Sequence, residues 1–287
     1  MAIFIRLGSV AFITAGVPFE LSIPPLELPK PCYCLPSARS FLIRLVSECL
    51  SYESAVSQYI KDFGPGKVQP LFTAQMYTLQ SKLCEWKHNF DQLSINESTR
   101  LSDLGIKSTL LMIYHSLFIL VSSSLRKQET EYDQFLDSFQ SIVDHGESAV
   151  SATTDLCGSN PHFTFEIGVG MPLLVTALKC RDSSIRYKAL SLLRRCPSTQ
   201  GFYMVSHGSA LAAKAIEIEE SLGCNPANPD RIDEETSRLQ YMTVYPQDPD
   251  FSLLVARKQP ASETSGLNEL TLVETRVFLS QEIAALR

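Results

Sequence analysis

FTFEIGVGMPLLVTALKCRDSSIRYKALSLLRRCPSTQGFYMVSHGSALAAKAIEIEE, residues 163–220, is the stretch against which the rest of the chain is read. Breakers divide it into three helical segments. Pro172 suits a first helical turn, where its missing N–H costs nothing, and Leu173, Leu174, Ala177 and Leu178 then supply an apolar stripe. Asp182 can accept a hydrogen bond from the free amides of a following turn, which predicts a second helix from Ser183. That helix buries Ile185, Ala189, Leu192 and Cys196, points Arg186, Lys188, Arg194 and Arg195 elsewhere, and stops at Pro197. The third carries Leu211, Ala215, Ile218 and Leu222 on one face and ends at Gly223, with Glu219 and Glu220 at its exposed end. The unit reads as all-α.

Upstream, the same period continues. Phe41, Leu45, Cys49, Tyr52, Val56 and Tyr59 recur at steps of three and four, which predicts a helix over Ala38–Asp62. Phe72, Met76, Leu79, Leu83, Trp86, Phe90 and Leu93 repeat the pattern over Pro70–Leu93, and the two read as an antiparallel hairpin. Between Ser98 and Leu125 the stripe becomes apolar all round, so this helix belongs in the middle of the others. Tyr132, Phe135, Phe139 and Ile142 mark one more, over Glu131–Ala149, whose outer face carries Glu131, Asp133, Asp137 and Asp144. The fold class is therefore all-α, an irregular helical array over residues 38–223. Residues 1–37 form a Pro-rich arm, with Pro24, Pro25, Pro29, Pro31 and Pro36 favouring an extended tether. Residues 224–287 form an irregular extension: Leu239–Tyr245 and Phe251–Val255 read as a small extended or hairpin segment, and Leu267–Leu286 as a last helix.

Composition narrows the functions open to such an array. The chain has 287 residues, 45% of them hydrophobic, enough to bury a full core. A net charge of −6 argues against an autonomous nucleic-acid surface, and the four basic residues on the second helix read as a solvated face. Eight scattered cysteines do not make a disulfide scaffold in a chain of this length and suit a reducing compartment. Cys49, Cys84, Cys180 and Cys196 lie on apolar helical faces or at their edges, as small hydrophobes do. The apolar N-terminus has Arg6 as its one early charge and no small-x-small cleavage site, so a secretory signal is not expected. The run Leu110–Val121 is too short to span a bilayer, and the expectation is a soluble protein with no membrane partner.

The search for chemistry finds no constellation. A binuclear zinc cluster needs six thiolates in a short basic segment, and Cys32 and Cys34 stand without a second pair, so neither that cluster nor a four-ligand zinc site is present. His207-Gly208-Ser209 lacks a nucleophile elbow, and Cys157 with His162 lacks an orienting third group. Gly168-Val169-Gly170 lacks a third glycine. No catalytic residue, metal ligand or cofactor contact is assigned.

The order of residues in the opening stretch, F-x-F-E-I-G-V, then P-L-L, then K-C-R-D-S-S-I-R-x-x-A-L-x-L-L, resembles the C-terminal part of the regulatory region of fungal binuclear zinc-cluster (Zn2Cys6) transcription factors. In that family a small residue or Pro often follows Cys-Arg-Asp, and a Glu-Gly-x-Trp run follows the helix. Here Ser183 and Gln200-Gly201-Phe202-Tyr203 take those places. The resemblance implies a nuclear role in transcriptional control, often of metabolic or secondary-metabolite gene clusters. Without the zinc cluster, direct sequence-specific DNA binding by this chain is not implied. Action through a homo- or heterodimer with a complete regulator, or through an unidentified small-molecule effector, is. Glu166, Cys180, Arg181, Asp182, Arg186 and Arg194 are the signature and candidate interaction residues, with Asp182 capping the second helix and Arg181 expected to reach Glu166. The alternative is a helical enzyme or scaffold protein without a recognisable active site.

Overall fold

Pro36 lies where regular structure starts. Its fixed φ and missing N–H are harmless in a first helical turn, so helix α1 (Leu35–Phe63) begins ahead of Ala38, inside what the proline count assigned to the arm. Ser37 N and Ala38 N both donate to Cys34 O at 3.1 Å and close that turn. The structure, a computed structural model, describes residues 34–63, 69–96, 101–126, 128–151, 163–164, 168–197, 199–200, 203–222, 235–239, 241–246, 251–258 and 270–277. Residues 1–33 of the expected arm lie outside them.

The remaining helices are α2 (Pro70–Asn96), α3 (Leu101–Ser123), α4 (Leu136–Ser151), α5 (Gly170–Lys179), α6 (Ser183–Arg194) and α7 (Val205–Leu222). A 3-10 segment, Glu129–Phe135, runs straight into α4. The fold is an all-α array, with helices where the apolar period predicts them.

Helix α3 is apolar on every side because it serves two cores. On one side lie α1 and α2. Tyr52 Oη donates to Phe72 O (3.2 Å), Lys82 pairs with Glu48 (2.6 Å), and Trp86 Nε1 donates to Ala38 O (2.9 Å), a progression that runs the two helices antiparallel. Trp86 is buried there, stacked on Phe90 and Tyr114 with centroids 4.8 and 5.8 Å away. On the other side, Met112 and Ile119 join Phe139, Ile142, Leu173, Ala189, Leu193 and Ala212 from α4, α5, α6 and α7. Phe118 packs against both cores. Residues 104–123 are long and apolar enough to cross a membrane, but 61% of the window is buried inside the protein, as in a core helix.

Helices α4 and α6 approach closely at Gly146. A Cβ there would lie 2.7 Å from Leu192 Cδ1, so the glycine makes room for a core leucine. A small sheet ties the two ends of this half together: Phe163–Thr164 pairs in parallel with Thr199–Gln200, which pairs antiparallel with Tyr203–Met204.

The C-terminal extension corrects one expectation. Tyr241–Pro246, Phe251–Lys258 and Leu270–Val277 form a three-stranded antiparallel sheet in chain order. Its third strand stands where a last helix over Leu267–Leu286 was expected. Thr271, Val273, Thr275 and Val277 place a β-branched residue at every second position there, a strand pattern.

Candidate functional site

The joint between α5 and α6 is made by Cys180-Arg181-Asp182. Cys180 is extended (φ −72°, ψ 137°), which ends α5, and its N–H donates to Thr176 O at 2.9 Å. Asp182 is extended as well, and its Oδ1 accepts from Ile185 N at 3.0 Å. This is the expected N-cap. Burial pushes the Cys180 thiol up to about 11, so it stays protonated at neutral pH and is no nucleophile there.

Arg181 turns inward. The carboxylate it meets is Glu219 of α7, with Nη2 2.8 Å from Glu219 Oε1, and not Glu166, which lies outside the described residues. Nη1 donates to Leu178 O, the carbonyl that α5 leaves open at its end. Nη2 is near enough to Glu219 for an ion pair but off the line of a hydrogen bond, so it and Nε remain buried without an acceptor. Burial pushes the guanidinium below its usual value, and Glu219 opposes that push.

Arg186 joins the same carboxylate, which corrects its expected place on a solvated face. Its Nη2 donates to Glu219 Oε2 and its Nε to Ala177 O at 3.0 Å. The side chains of Arg181, Arg186 and Glu219 are each 1% exposed. Glu219 is thus not at an exposed helix end, and of the expected inner face Leu211, Ala215, Ile218 and Leu222 only Ala215 is fully buried. The face turned to the core is instead Ser209, Ala212, Ala215, Ile216 and Glu219, while Leu222 is exposed. Small residues let α7 sit close to its neighbours, and their spacing of three and four is the signal that was available in the sequence.

The network continues through Lys179, the last residue of α5. Its Nζ donates to Glu129 Oε2 at 2.8 Å and lies 5.2 Å from the centroid of the buried Tyr132 ring. Arg126 reaches Glu129 Oε1 at 3.3 Å and the same ring at 4.8 Å, so two cations lie against one electron-rich ring. Burial pushes Lys179 down against the pull of Glu129, and pushes Tyr132 up to about 12.

The other basic residues of α6 do not cluster. Lys188 pairs with Asp144 at 3.2 Å and Arg195 forks onto Glu147 at 2.9 and 2.8 Å, both on α4, while Arg194 ends α6 half-buried. These exposed pairs are worth little each. Cys84 is exposed, not on the apolar face of α2, whereas Cys49 and Cys196 are buried as expected. Gln200 reaches back to α5, where its Oε1 accepts from Gly170 N at 3.0 Å. A Cβ on Gly168 would lie 2.1 Å from that oxygen, which gives the Gly168-Val169-Gly170 run a packing role.

Cys157, His162 and the His207 side chain lie outside what is described. Among the described residues, no three of His, Cys, Asp and Glu converge to hold a metal ion. What this site does chemically is hold charge: it fixes α5, α6 and α7 to one another through buried, paired ions. No family model, curated protein or solved structure matches the chain.

Proposed function

We propose that the chain is a regulatory interaction domain of the fungal zinc-cluster type. It acts in the nucleus through a partner regulator, in the control of a metabolic or secondary-metabolite gene cluster. The observation that carries this reading is the use made of Cys180-Arg181-Asp182. The thiol is buried and protonated, the guanidinium is locked on Glu219, and the carboxylate caps α6. The residues that carry the resemblance are thus spent on holding three helices in one shape, as suits a domain that presents a surface to a partner. Beside that framework, α6 and α7 leave Tyr187 and Leu222 exposed, with Tyr187 Oη donating to Glu220 at 2.8 Å.

The test is to fuse the full chain to a heterologous DNA-binding domain and measure a reporter, with co-precipitation of a complete zinc-cluster regulator in parallel. The expected result is a change in reporter output, and a Tyr187→Ala variant that loses association while its thermal unfolding is unchanged. If association falls only in proportion to stability across a set of variants, the unit is scaffold and the reading fails.

A further inference from the structure

A short 3-10 turn, Glu235–Ser237, lies between the helical array and the C-terminal strands and is followed by Arg238 and Leu239. Arg238 N donates to Glu235 O at 3.2 Å and closes the turn. Side chains three apart on a 3-10 helix eclipse one another, so a carboxylate and a guanidinium leave the backbone along one edge. Both reach the start of the helical run 129–151. The two Glu235 oxygens accept from Glu129 N and Thr130 N, each at 2.9 Å. Arg238 forks onto Asp133, with Nη1–Oδ1 2.8 Å and Nη2–Oδ2 2.6 Å, and Nη1 also donates to Glu129 O at 3.1 Å. One residue further on, Leu239 N donates to Glu219 Oε1 at 2.8 Å while its side chain is fully buried.

This is the contact set by which a domain reads a short peptide. Two amides receive a carboxylate, a bidentate carboxylate receives an arginine, and an apolar residue follows at fixed spacing. We propose that residues 129–133 and Glu219 form a peptide-recognition site for the sequence Glu-x-x-Arg-Leu. The chain's own residues 235–239 fill it in cis, and a segment of the same chemistry from a partner protein takes it when they leave. The seated segment itself specifies the occupant. Polar and charged contacts dominate the strap: Arg238 is buried, its partner Asp133 stays 27% exposed, and Leu239 is the apolar residue among the described ones of the strap. This inference does not rest on the regulatory reading.

The probe is a fluorescent peptide of residues 233–241, DEETSRLQY, titrated into the full-length chain and read by anisotropy. The Glu235→Ala/Arg238→Ala chain, its strap disabled, binds the peptide. Wild-type chain binds it at least about tenfold more weakly, because the tethered strap competes at high effective concentration. A peptide carrying Arg238→Glu does not bind that chain but binds one that also carries Asp133→Arg. A folded double variant that binds the peptide no better than a scrambled one overturns the proposal. Should the double variant fail to fold, a protease site inserted between residues 223 and 234 of the full chain gives a second arm. After cleavage the C-terminal piece stays with the helical domain and is displaced by the wild-type peptide but not by the Arg238→Glu peptide. A piece that excess peptide leaves in place, or that both peptides displace alike, sinks the idea. Light scattering gives a monomer, whereas a wild-type dimer abolished by Arg238→Glu would assign the site to a second copy and overturn the partner assignment.

Discussion

Glu219 is a single buried carboxylate that answers to Arg181, Arg186 and the amide of Leu239. Removing one member of a buried pair leaves the other charge without compensation and costs about 3–5 kcal/mol, well above the net worth of the pair itself. Glu219→Gln is therefore expected to destabilise by roughly that amount, since it strands two buried guanidiniums. Asp182→Ala removes one helix cap and should cost about 1 kcal/mol. Urea unfolding of the two variants checks the order: a Glu219→Gln loss no larger than that of Asp182→Ala would show that the pair is not desolvated. The contrast also explains what could be read from residues alone. The Asp182 cap spans three positions and needs only local geometry, so it was legible. The partner of Arg181 depends on how α7 is rotated, and no local pattern around Cys180 encodes that rotation.

At the scale of elements, the contact between α4 and α6 is set by Gly146 against Leu192, which is buried. Leu192→Ala should cost about 2–5 kcal/mol, the transfer term plus a cavity that its surroundings fill incompletely. Gly146→Ala alone has opposed effects: it removes the helix penalty of glycine, about 1 kcal/mol, and forces Leu192 to move in a packed core. In the Leu192→Ala background the clash is gone, so the double variant should be more stable than Leu192→Ala by about 1 kcal/mol. A double-mutant cycle by thermal unfolding reads this directly, and strict additivity would mean that the helices already stand apart. The helices themselves were legible because six of them keep an apolar stripe of the same period and the other, α3, is apolar all round. Of the inner face of α7 only Ala215 was legible, because the rest of that contact surface is less apolar than the Leu211, Ile218 and Leu222 side that lies partly outside. The strand at Leu270–Val277 was not legible for a related reason: its apolar residues also fit a helical step.

The molecule as a whole buries neutral groups that titrate on either side of neutrality, and this shapes its stability. On the acid side, burial pushes His115 down to about 4, reinforced by Lys87 and His145 and opposed by Asp91. Above the ordinary value of 6.5 the imidazole is neutral whether folded or not. As pH falls from 6.5 toward 4, the unfolded chain takes up a proton that the folded one refuses, and stability drops by up to about 3 kcal/mol before levelling. On the alkaline side, burial holds Cys49 and Cys196 up to about 12 and Cys180 to about 11, against an ordinary 9. It likewise holds Tyr114 and Tyr132 near 12 against 10. Here the unfolded chain releases protons that the folded one keeps, so stability falls as pH rises past 9 and continues to fall toward 12. The expected profile of melting temperature against pH, at constant ionic strength, is a plateau between about 6.5 and 9 with a shoulder on each side. Replacing His115 by Gln shrinks the loss between 6.5 and 5, a window above most carboxylate titrations, to the part left by His145, which burial also pushes down, and leaves the alkaline limb in place. An acid limb unchanged by that substitution would mean that the imidazole is hydrated in the folded protein and that α3 is less tightly enclosed than its neighbours make it.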